Sequence, residues 1–321
     1  MAEKFRFAVM GAGTISNKFC EAVLLTDGCQ VSAIASKDME KASRMAQKYG
    51  NMKPYDNYEK MLAEERPDAV YIAVTTNAHY DLAMLCLDYK VPVLCEKAMF
   101  QTADQAENVF RRSRESGVFV MEGMWSLFLP NLKQARQWIL DGKIGDVTLV
   151  KLDIGFQAEK DRKSRYYNPV LGGGASYDIL VYGYDILTWL VNQPVQSTQI
   201  QALFTEDGVD KTEAVLLKFD DCLGVLTTTF EADMAEQEQA VIYGSKGRIV
   251  IPHPHFGNTC TLYADGEKPD IFLDEKTSNG FVYEIQEVME CIQRGEIESK
   301  TVSHAMTLES SALYDEIMKL K

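Results

Sequence analysis

The feature that most constrains this chain is a repeated alternation between residues 5 and 123. Short apolar runs at Phe5 to Met10, Val31 to Ser36, Ala69 to Val74, Val91 to Cys95 and Val118 to Met121 are separated by amphipathic stretches. Strand runs that alternate with helical segments point to a parallel sheet with helices wound about it. Helix signals sit between the runs. Thr102-Ala103-Asp104-Gln105 has the capping-box spacing, Gly117 supplies a stop before the next run, and Asp38 is placed to cap the helix after the second run.

After about residue 145 the pattern changes. Residues 147 to 156, 197 to 204, 213 to 219, 223 to 230, 239 to 243 and 248 to 251 read as strands joined by short turns such as Asp220-Asp221 and Ser245-Lys246-Gly247, which suggests a largely antiparallel sheet. One helix interrupts it, from about Gly174 to Val191, and two more close the chain, at about Phe281 to Arg294 and His304 to Leu320. The expected fold class is α/β plus α+β. A doubly wound parallel sheet of Rossmann type occupies residues 1–123, and an open-faced, mostly antiparallel sheet domain occupies 124–321, with its closing helices free to pack back on the first domain.

A chain of 321 residues that is 46% hydrophobic has material for a large core and exceeds one ordinary domain. Its 33 Lys and Arg against 47 Asp and Glu give a formal charge of -14, which disfavours general binding to nucleic acid or an anionic membrane and leaves a small molecule as the expected partner. The seven cysteines contain no Cys-x-x-Cys pair and mostly lie in apolar runs such as Val93-Leu94-Cys95, as expected of reduced thiols in a cytoplasmic protein. Met1-Ala2-Glu3-Lys4 leads straight into a strand without a signal-peptide core, and no apolar stretch reaches the roughly 18 residues that span a bilayer.

Gly11-Ala12-Gly13-Thr14-Ile15-Ser16 follows the first apolar run and opens a helix. There, glycines let the backbone approach a pyrophosphate while free amides and the helix dipole face its charge. The third position is Ser16 in place of Gly, so the motif alone also suits an ordinary strand-to-helix turn. At the end of the second run, where an acidic residue would accept from a ribose 2′-hydroxyl, the chain has Ser36-Lys37. A hydroxyl and a cation suit a 2′-phosphate and favour NADP(H) over NAD(H); a solvated Lys37 indifferent to the phosphate is the alternative.

The run from Gly172-Gly173-Gly174 to Tyr182 sets Asp178 and Tyr182 four residues apart, on one face of a helix. With Lys97 after an unrelated strand, these residues form a candidate proton-transfer set. An Asp and a Tyr at this spacing also arise by chance, with the Tyr a core residue whose hydroxyl is satisfied. A free phenol ionises near pH 10 and is a poor base at neutrality, but a lysine cation about 4 Å away favours the phenolate by roughly 4 kcal/mol at an effective dielectric near 20. Asp178 acts in the opposite sense, which suits it to pairing with Lys97 or holding a substrate hydroxyl.

Gly11-x-Gly13, Thr75-Thr76-Asn77-x-His79, Glu96-Lys97 and the Gly-rich segment leading to Asp178 and Tyr182 together resemble the Gfo/Idh/MocA oxidoreductases over essentially the whole chain. Met121-Glu122-Gly123-Met124-Trp125-Ser126 and Tyr167-Asn168-Pro169-x-Leu171-Gly172 look most like the dihydrodiol and D-xylose dehydrogenase branch. The resemblance implies a nicotinamide cofactor on the first domain, with substrate binding and dimerisation on the open-faced sheet. It also implies Lys97 as the catalytic lysine, Tyr182 as acid/base where some relatives carry a His, and Asp178 as its companion. Thr75, Asn77, His79 and Glu96 would lie along the cofactor, with Gly11, Gly13, Thr14 and Ile15 at its phosphates. The family commonly reads Glu-Lys-Pro where this chain has Glu96-Lys97-Ala98, which leaves the isomer of the Lys97-Ala98 peptide open.

The expected activity is hydride transfer between the nicotinamide and a hydroxyl or carbonyl carbon of a sugar, polyol or cyclic trans-dihydrodiol. The alternative is a non-catalytic protein of the same fold that senses a dinucleotide or sugar and regulates a partner. Trp125 and Phe156 are candidates to line a substrate pocket, although both also suit a core. The run Asp161-Arg162-Lys163-Ser164-Arg165-Tyr166-Tyr167 is either a solvated loop or a cover over the site, and His253-Pro254-His255 lacks a third ligand, so no metal is expected. A bare sheet face needs covering, which predicts a homodimer or higher homo-oligomer.

Overall fold

A computed structural model describes residues 4–50, 52–161 and 163–321; Met1 to Glu3 and Arg162, on which two of the expectations above partly rest, lie outside the described residues. In chain order the elements are β1 (Phe5–Met10), α1 (Thr14–Leu25), β2 (Cys29–Ala35), α2 (Met39–Lys48), β3 (Lys53–Tyr55), α3 (Tyr58–Glu65), β4 (Ala69–Ile72), α4 (His79–Asp88), β5 (Val93–Glu96), α5 (Ala103–Ser116) and β6 (Val120–Gly123). There follow α6 (Pro130–Leu140), β7 (Val147–Gly155), α7 (Val181–Val191), β8 (Ser197–Phe204), β9 (Asp210–Lys218), β10 (Leu223–Thr229), β11 (Gln239–Gly244), β12 (Gly247–Pro252), β13 (Thr259–Ala264), β14 (Asp270–Leu273), α8 (Phe281–Gln293) and α9 (His304–Met318).

The chain divides into two compact units. Met1–Trp125 and Ser278–Ser311 form the first, and Ser126–Thr277 with Ala312–Lys321 the second. The first unit is a six-stranded sheet in the order β3-β2-β1-β4-β5-β6, parallel at every pairing, as the alternation of runs requires. Residues Phe7 to Met10 and Ala69 to Ile72 are fully buried, so β1 and β4 form the centre of this core. Asp38 caps α2 by accepting the Glu40 and Lys41 amides, and Thr102 caps α5 through the Gln105 amide. Gln105 returns its side chain to the Gln101 amide at 3.1 Å, one residue earlier than a capping box would. Within the same unit α8 packs on α1.

The second unit is an eight-stranded sheet in the order β14-β13-β12-β11-β7-β10-β9-β8. Every pair is antiparallel except β7 with β10. Its strands alternate: Leu152, Ile154, Val215, Leu217, Leu226, Ile242, Ile249 and Ile251 are buried on the face that α6 and α7 cover. The opposite face carries Lys151, Leu216, Tyr243 and Arg248, all exposed.

Four elements had no counterpart in the sequence expectations. β3 is only three residues long and contains Pro54, and β13 and β14 hold too few consecutive apolar residues to stand out. The start of α6 carried a usable signal, Pro130 at its first position. The helix expected from Gly174 to Val191 is two structures, a π-helical turn at Ser176–Leu180 running into α7. Asp178 and Tyr182 are therefore joined through a wider turn than the α-helical register assumed. All seven cysteines are buried free thiols, and among the described residues no helix is long and apolar enough to cross a membrane.

Candidate active site

Because the six strands are parallel, all their carboxyl ends reach one edge of the sheet, and that edge is where a doubly wound sheet binds ligands. Gly11 follows β1, Ser36 follows β2, Thr75 lies beyond β4, Lys97 follows β5 and Trp125 lies beyond β6. Gly11 has φ +111, and a Cβ there would stand 2.2 Å from the Ala73 carbonyl oxygen, so only glycine lets the ends of β1 and β4 lie this close. At Gly13 a Cβ would meet nothing within 4 Å. Gly13 is also the N-cap of α1, where no side chain caps the helix and no acidic residue occupies the first turn. The start of α1 thus has room at Gly13, no side-chain cap and the positive end of a helix behind it, a cradle that fits a dinucleotide pyrophosphate. Thr14 is exposed and Ile15 half-buried beside it. Ser36 Oγ accepts the Asp38 amide at 3.2 Å, Lys37 is exposed, and the Thr75 hydroxyl donates to Asn77 Oδ1 at 2.7 Å.

Lys97 is half-buried at the end of β5, and the backbone around it is gripped by side chains. The Lys97-Ala98 peptide is cis. His79, 1% exposed, places Nδ1 3.0 Å from the Ala98 carbonyl oxygen and Nε2 3.1 Å from that of Val74. Glu122 accepts the Met99 amide at 2.8 Å through one oxygen and the Thr307 hydroxyl at 2.7 Å through the other. His79 is thus built into the wall behind Lys97, each ring nitrogen set against a backbone carbonyl, to one of which a neutral imidazole donates. Burial holds its imidazole below the usual histidine value.

Glu96 is also buried, and its carboxylate takes the Tyr71 hydroxyl, Tyr71 in turn stacking on Phe19 at 3.8 Å. Burial pushes the carboxyls of Glu96 and Glu122 up, while their hydrogen bonds and the Lys97 cation pull both back. A third carboxyl, Glu284 in the first turn of α8, is fully buried with neither oxygen hydrogen-bonded. Burial first, and then the charge of Glu96, hold it well above the ordinary carboxylate range. Trp125 stacks on Phe281, the first residue of α8, at 5.2 Å and 19°.

In the second unit Tyr182 is 8% exposed and its ring lies 5.1 Å from that of His255. Asp178 forms an ion pair with Arg165 at 2.9 Å, and the Arg165 guanidinium lies 4.2 Å over the Tyr166 ring. The loop around residue 165 is therefore tied to the turn that carries Asp178. Phe156 belongs to an aromatic cluster, 5.4 Å from Tyr166 and 5.1 Å from Phe230. His253 Nδ1 faces Glu238 Oε2 at 3.4 Å.

The sequence reading did not single out Glu122, Glu284, Asp210 or Glu213 as site residues. Glu122 alone lies inside an otherwise apolar run, residues 118–124, which is the signal that would have found it, whereas Asp210, Glu213 and Glu284 have other polar or charged residues close by in sequence. Arg165 was seen only as part of a charged run, and His255 only as an incomplete metal ligand. Their partners come from distant segments that one sequence does not bring together.

Comparison with known proteins agrees with this geometry. Residues 5–124 match the family model described as an oxidoreductase family with an NAD-binding Rossmann fold, and residues 132–250 match the Gfo/Idh/MocA C-terminal domain. The trans-1,2-dihydrobenzene-1,2-diol dehydrogenase of Xenopus tropicalis is 30% identical, covering 98% of this chain and 97% of its own. The D-xylose 1-dehydrogenase (NADP(+)) of Hypocrea jecorina is 26% identical, covering 92% of this chain and 87% of its own. The solved aldose-aldose oxidoreductase of Caulobacter crescentus shares the fold with a TM-score of 0.89 at 20% identity, over 99% of this chain and 97% of the other. Two matched domains, and a relative aligned over nearly its whole length, show that the chain belongs to the Gfo/Idh/MocA oxidoreductase family.

Proposed function

We infer that the protein is an NADP-dependent dehydrogenase or reductase acting on the CH–OH groups of a sugar, polyol or cyclic trans-dihydrodiol. Tyr182 serves as the acid/base and Lys97 as the cation that assists it. The observation that carries the reading is the construction around Lys97. His79 and Glu122 hold the backbone immediately after it, and two buried carboxyls lie close enough to feel its charge. A lysine with only a surface role requires no such support. The names of the dihydrodiol and xylose relatives support the substrate class, and the xylose enzyme's name supports NADP.

When bound, the nicotinamide supplies or accepts the hydride. Gly11, Gly13, Thr14 and Ile15 would hold the pyrophosphate through the open start of α1, Ser36 and Lys37 the 2′-phosphate, and Thr75 and Asn77 the nearby ribose. His79 and Glu96 contribute from beneath this edge, through Ala98 and Tyr71 respectively. In oxidation Tyr182 takes the alcohol proton, and in reduction it returns one. Asp178, oriented by Arg165, holds a substrate hydroxyl, while Trp125 and Phe156 supply apolar walls. The bare face of the eight-stranded sheet is assigned to a second copy of the chain, and the seven free thiols suit a cytoplasmic setting.

A panel of sugars, polyols and dihydrodiols, followed by the absorbance of NADPH, tests the reading. Turnover of at least one class with NADP is expected. Tight NADPH binding without turnover of any of them would instead favour the dinucleotide-sensing alternative.

A further inference from the structure

Beneath the turn that carries Asp178, two carboxyl side chains meet inside the second unit. Asp210 is 0% exposed and Glu213 1%. A regular strand would send residues three apart to opposite faces. Here the register between β8 and β9 slips: Leu203 pairs with Thr212 but Phe204 pairs with Asp210, so Lys211 is an extra residue that turns Asp210 inward beside Glu213.

Hydrogen bonding accounts for two of the four carboxyl oxygens. Asp210 Oδ2 accepts the Ser176 amide, the first of the π-helical turn, at 2.6 Å. Glu213 Oε2 accepts the hydroxyl of Thr228, its cross-strand neighbour on β10. The remaining oxygens, Asp210 Oδ1 and Glu213 Oε1, are buried with no donor from any other residue. One proton held between the two carboxyls satisfies both oxygens. In keeping with this, burial, followed by the charge of Asp210 and its hydrogen bond, raises the Glu213 carboxyl well above the usual range. Gly174, at φ +140, rests its backbone on the same carboxylate: a Cβ there would stand 2.3 Å from Asp210 Oδ1.

We propose that Asp210 and Glu213, joined by one proton, are positioning residues that fix the start of the turn carrying Asp178 and leading into Tyr182. Asp210 supplies the acceptor that the first amide of the turn lacks, and Glu213 keeps the Asp210 carboxylate in place by donating to its other oxygen. Neither residue is assigned contact with substrate. Their effect on turnover passes through the backbone of 174–178, where the Asp178 amide bonds to the Gly174 carbonyl at 3.2 Å. The proposal rests on the assignment of proton transfer to Tyr182.

The test compares Glu213→Leu, which keeps bulk and removes the donor, with Glu213→Gln, whose amide still donates to Asp210 and accepts from Thr228. In full-length protein, Glu213→Leu is expected to speed amide hydrogen exchange across residues 174–182 about tenfold or more and to lower kcat about 10- to 100-fold, with the KM for NADPH within about twofold. Glu213→Gln should recover both exchange protection and kcat to within about threefold of the parent. A Gln variant as damaged as the Leu variant, or a Leu variant with parental exchange and turnover, overturns the proposal. Faster exchange with parental turnover would leave the pair as the holder of the turn and would count against the catalytic reading of Tyr182. Should Glu213→Leu fail to accumulate as folded protein, an infrared difference spectrum of parent against Glu213→Gln at neutral pH decides. A carboxylic acid carbonyl band lost in the variant supports the shared proton, and no such band overturns it.

Discussion

The parallel sheet and the mostly antiparallel sheet handle polar side chains in different ways. In the first, β4, β5 and β6 are buried along their whole length, so a carboxyl such as Glu96 or Glu122 is enclosed on every side and must find its partners within the core. The segments that follow the strands of this sheet and carry Gly11, Ser36, Thr75 and Lys97 lie at the edge proposed above for the cofactor. In the second sheet only alternate residues are inside. The covered face can hide Asp210 and Glu213, while the other face leaves Leu203, Leu216, Tyr243 and Ile271 36 to 67% exposed. A fully covered sheet gives a rigid edge for binding, and a half-covered sheet has a whole surface left for another molecule.

The largest effect expected from this division concerns Tyr182. Tyr182→Phe keeps the ring and removes one oxygen, so turnover should fall by about two to four orders of magnitude while NADPH affinity, assigned above to the parallel unit, stays nearly constant. Near-normal turnover on a verified substrate would place the proton elsewhere. Lys97→Met should cost about a hundredfold in turnover and move the basic limb of the pH profile to higher pH if, as proposed, its cation assists the phenol. An unmoved basic limb would separate the lysine from the phenol. On the other sheet, Leu216→Glu combined with Tyr243→Glu should convert an oligomer to a monomer by light scattering at micromolar concentration, since two charges would be buried against a second copy. A parent protein that is already monomeric would remove the partner assigned to the open face.

Smaller effects probe the enclosed carboxyls and the cofactor edge. Glu284 keeps its proton in the folded protein well above the ordinary carboxylate value of 4.5, so folding takes up a proton. That contribution is fully present below about pH 4.5 and declines by about 1.4 kcal/mol per pH unit until the folded value is reached. Glu284→Gln cannot ionise and should raise Tm more at about pH 8 than at about pH 5; equal changes at the two pH values would contradict its burial as an acid. Lys37→Ala should reduce the preference for NADPH over NADH by about tenfold, one charge-assisted contact, and equal affinities of the parent for both cofactors would sink the assignment.

Most of the architecture was legible because periodicity is a local property. The apolar runs of the parallel sheet, the caps at Asp38 and Thr102 and the stop at Gly117 each act within a few residues, and the structure carries them. The π-helical turn was not legible, because an inserted residue in a helix leaves no mark in a pattern of apolar side chains. The return of residues 278–311 to the first unit was left open for a related reason: an amphipathic helix shows that it has a buried face, not which sheet or helix will bury it. Among candidate site residues, Lys97, Asp178 and Tyr182 were marked by motif. Their supports, His79 against Ala98, Glu122 against Met99 and Arg165 against Asp178, join positions 13 to 23 apart in sequence and depend on three-dimensional neighbours.

The extra residue in β9 makes the meeting of Asp210 and Glu213 a matter of chain length as much as of residue type. Three positions separate the two carboxyls, and the slip at Lys211 brings them to the same side. Two positions in an unbroken strand would do the same. Removing Lys211 would therefore leave both acids facing inward along a straighter strand, whereas ironing out the slip without removing a residue would turn Asp210 to the opposite face. Among related chains the partner of Glu213 should be sought at either of two offsets. A comparison by fixed columns would score its displacement by one position as a loss even where the contact persists.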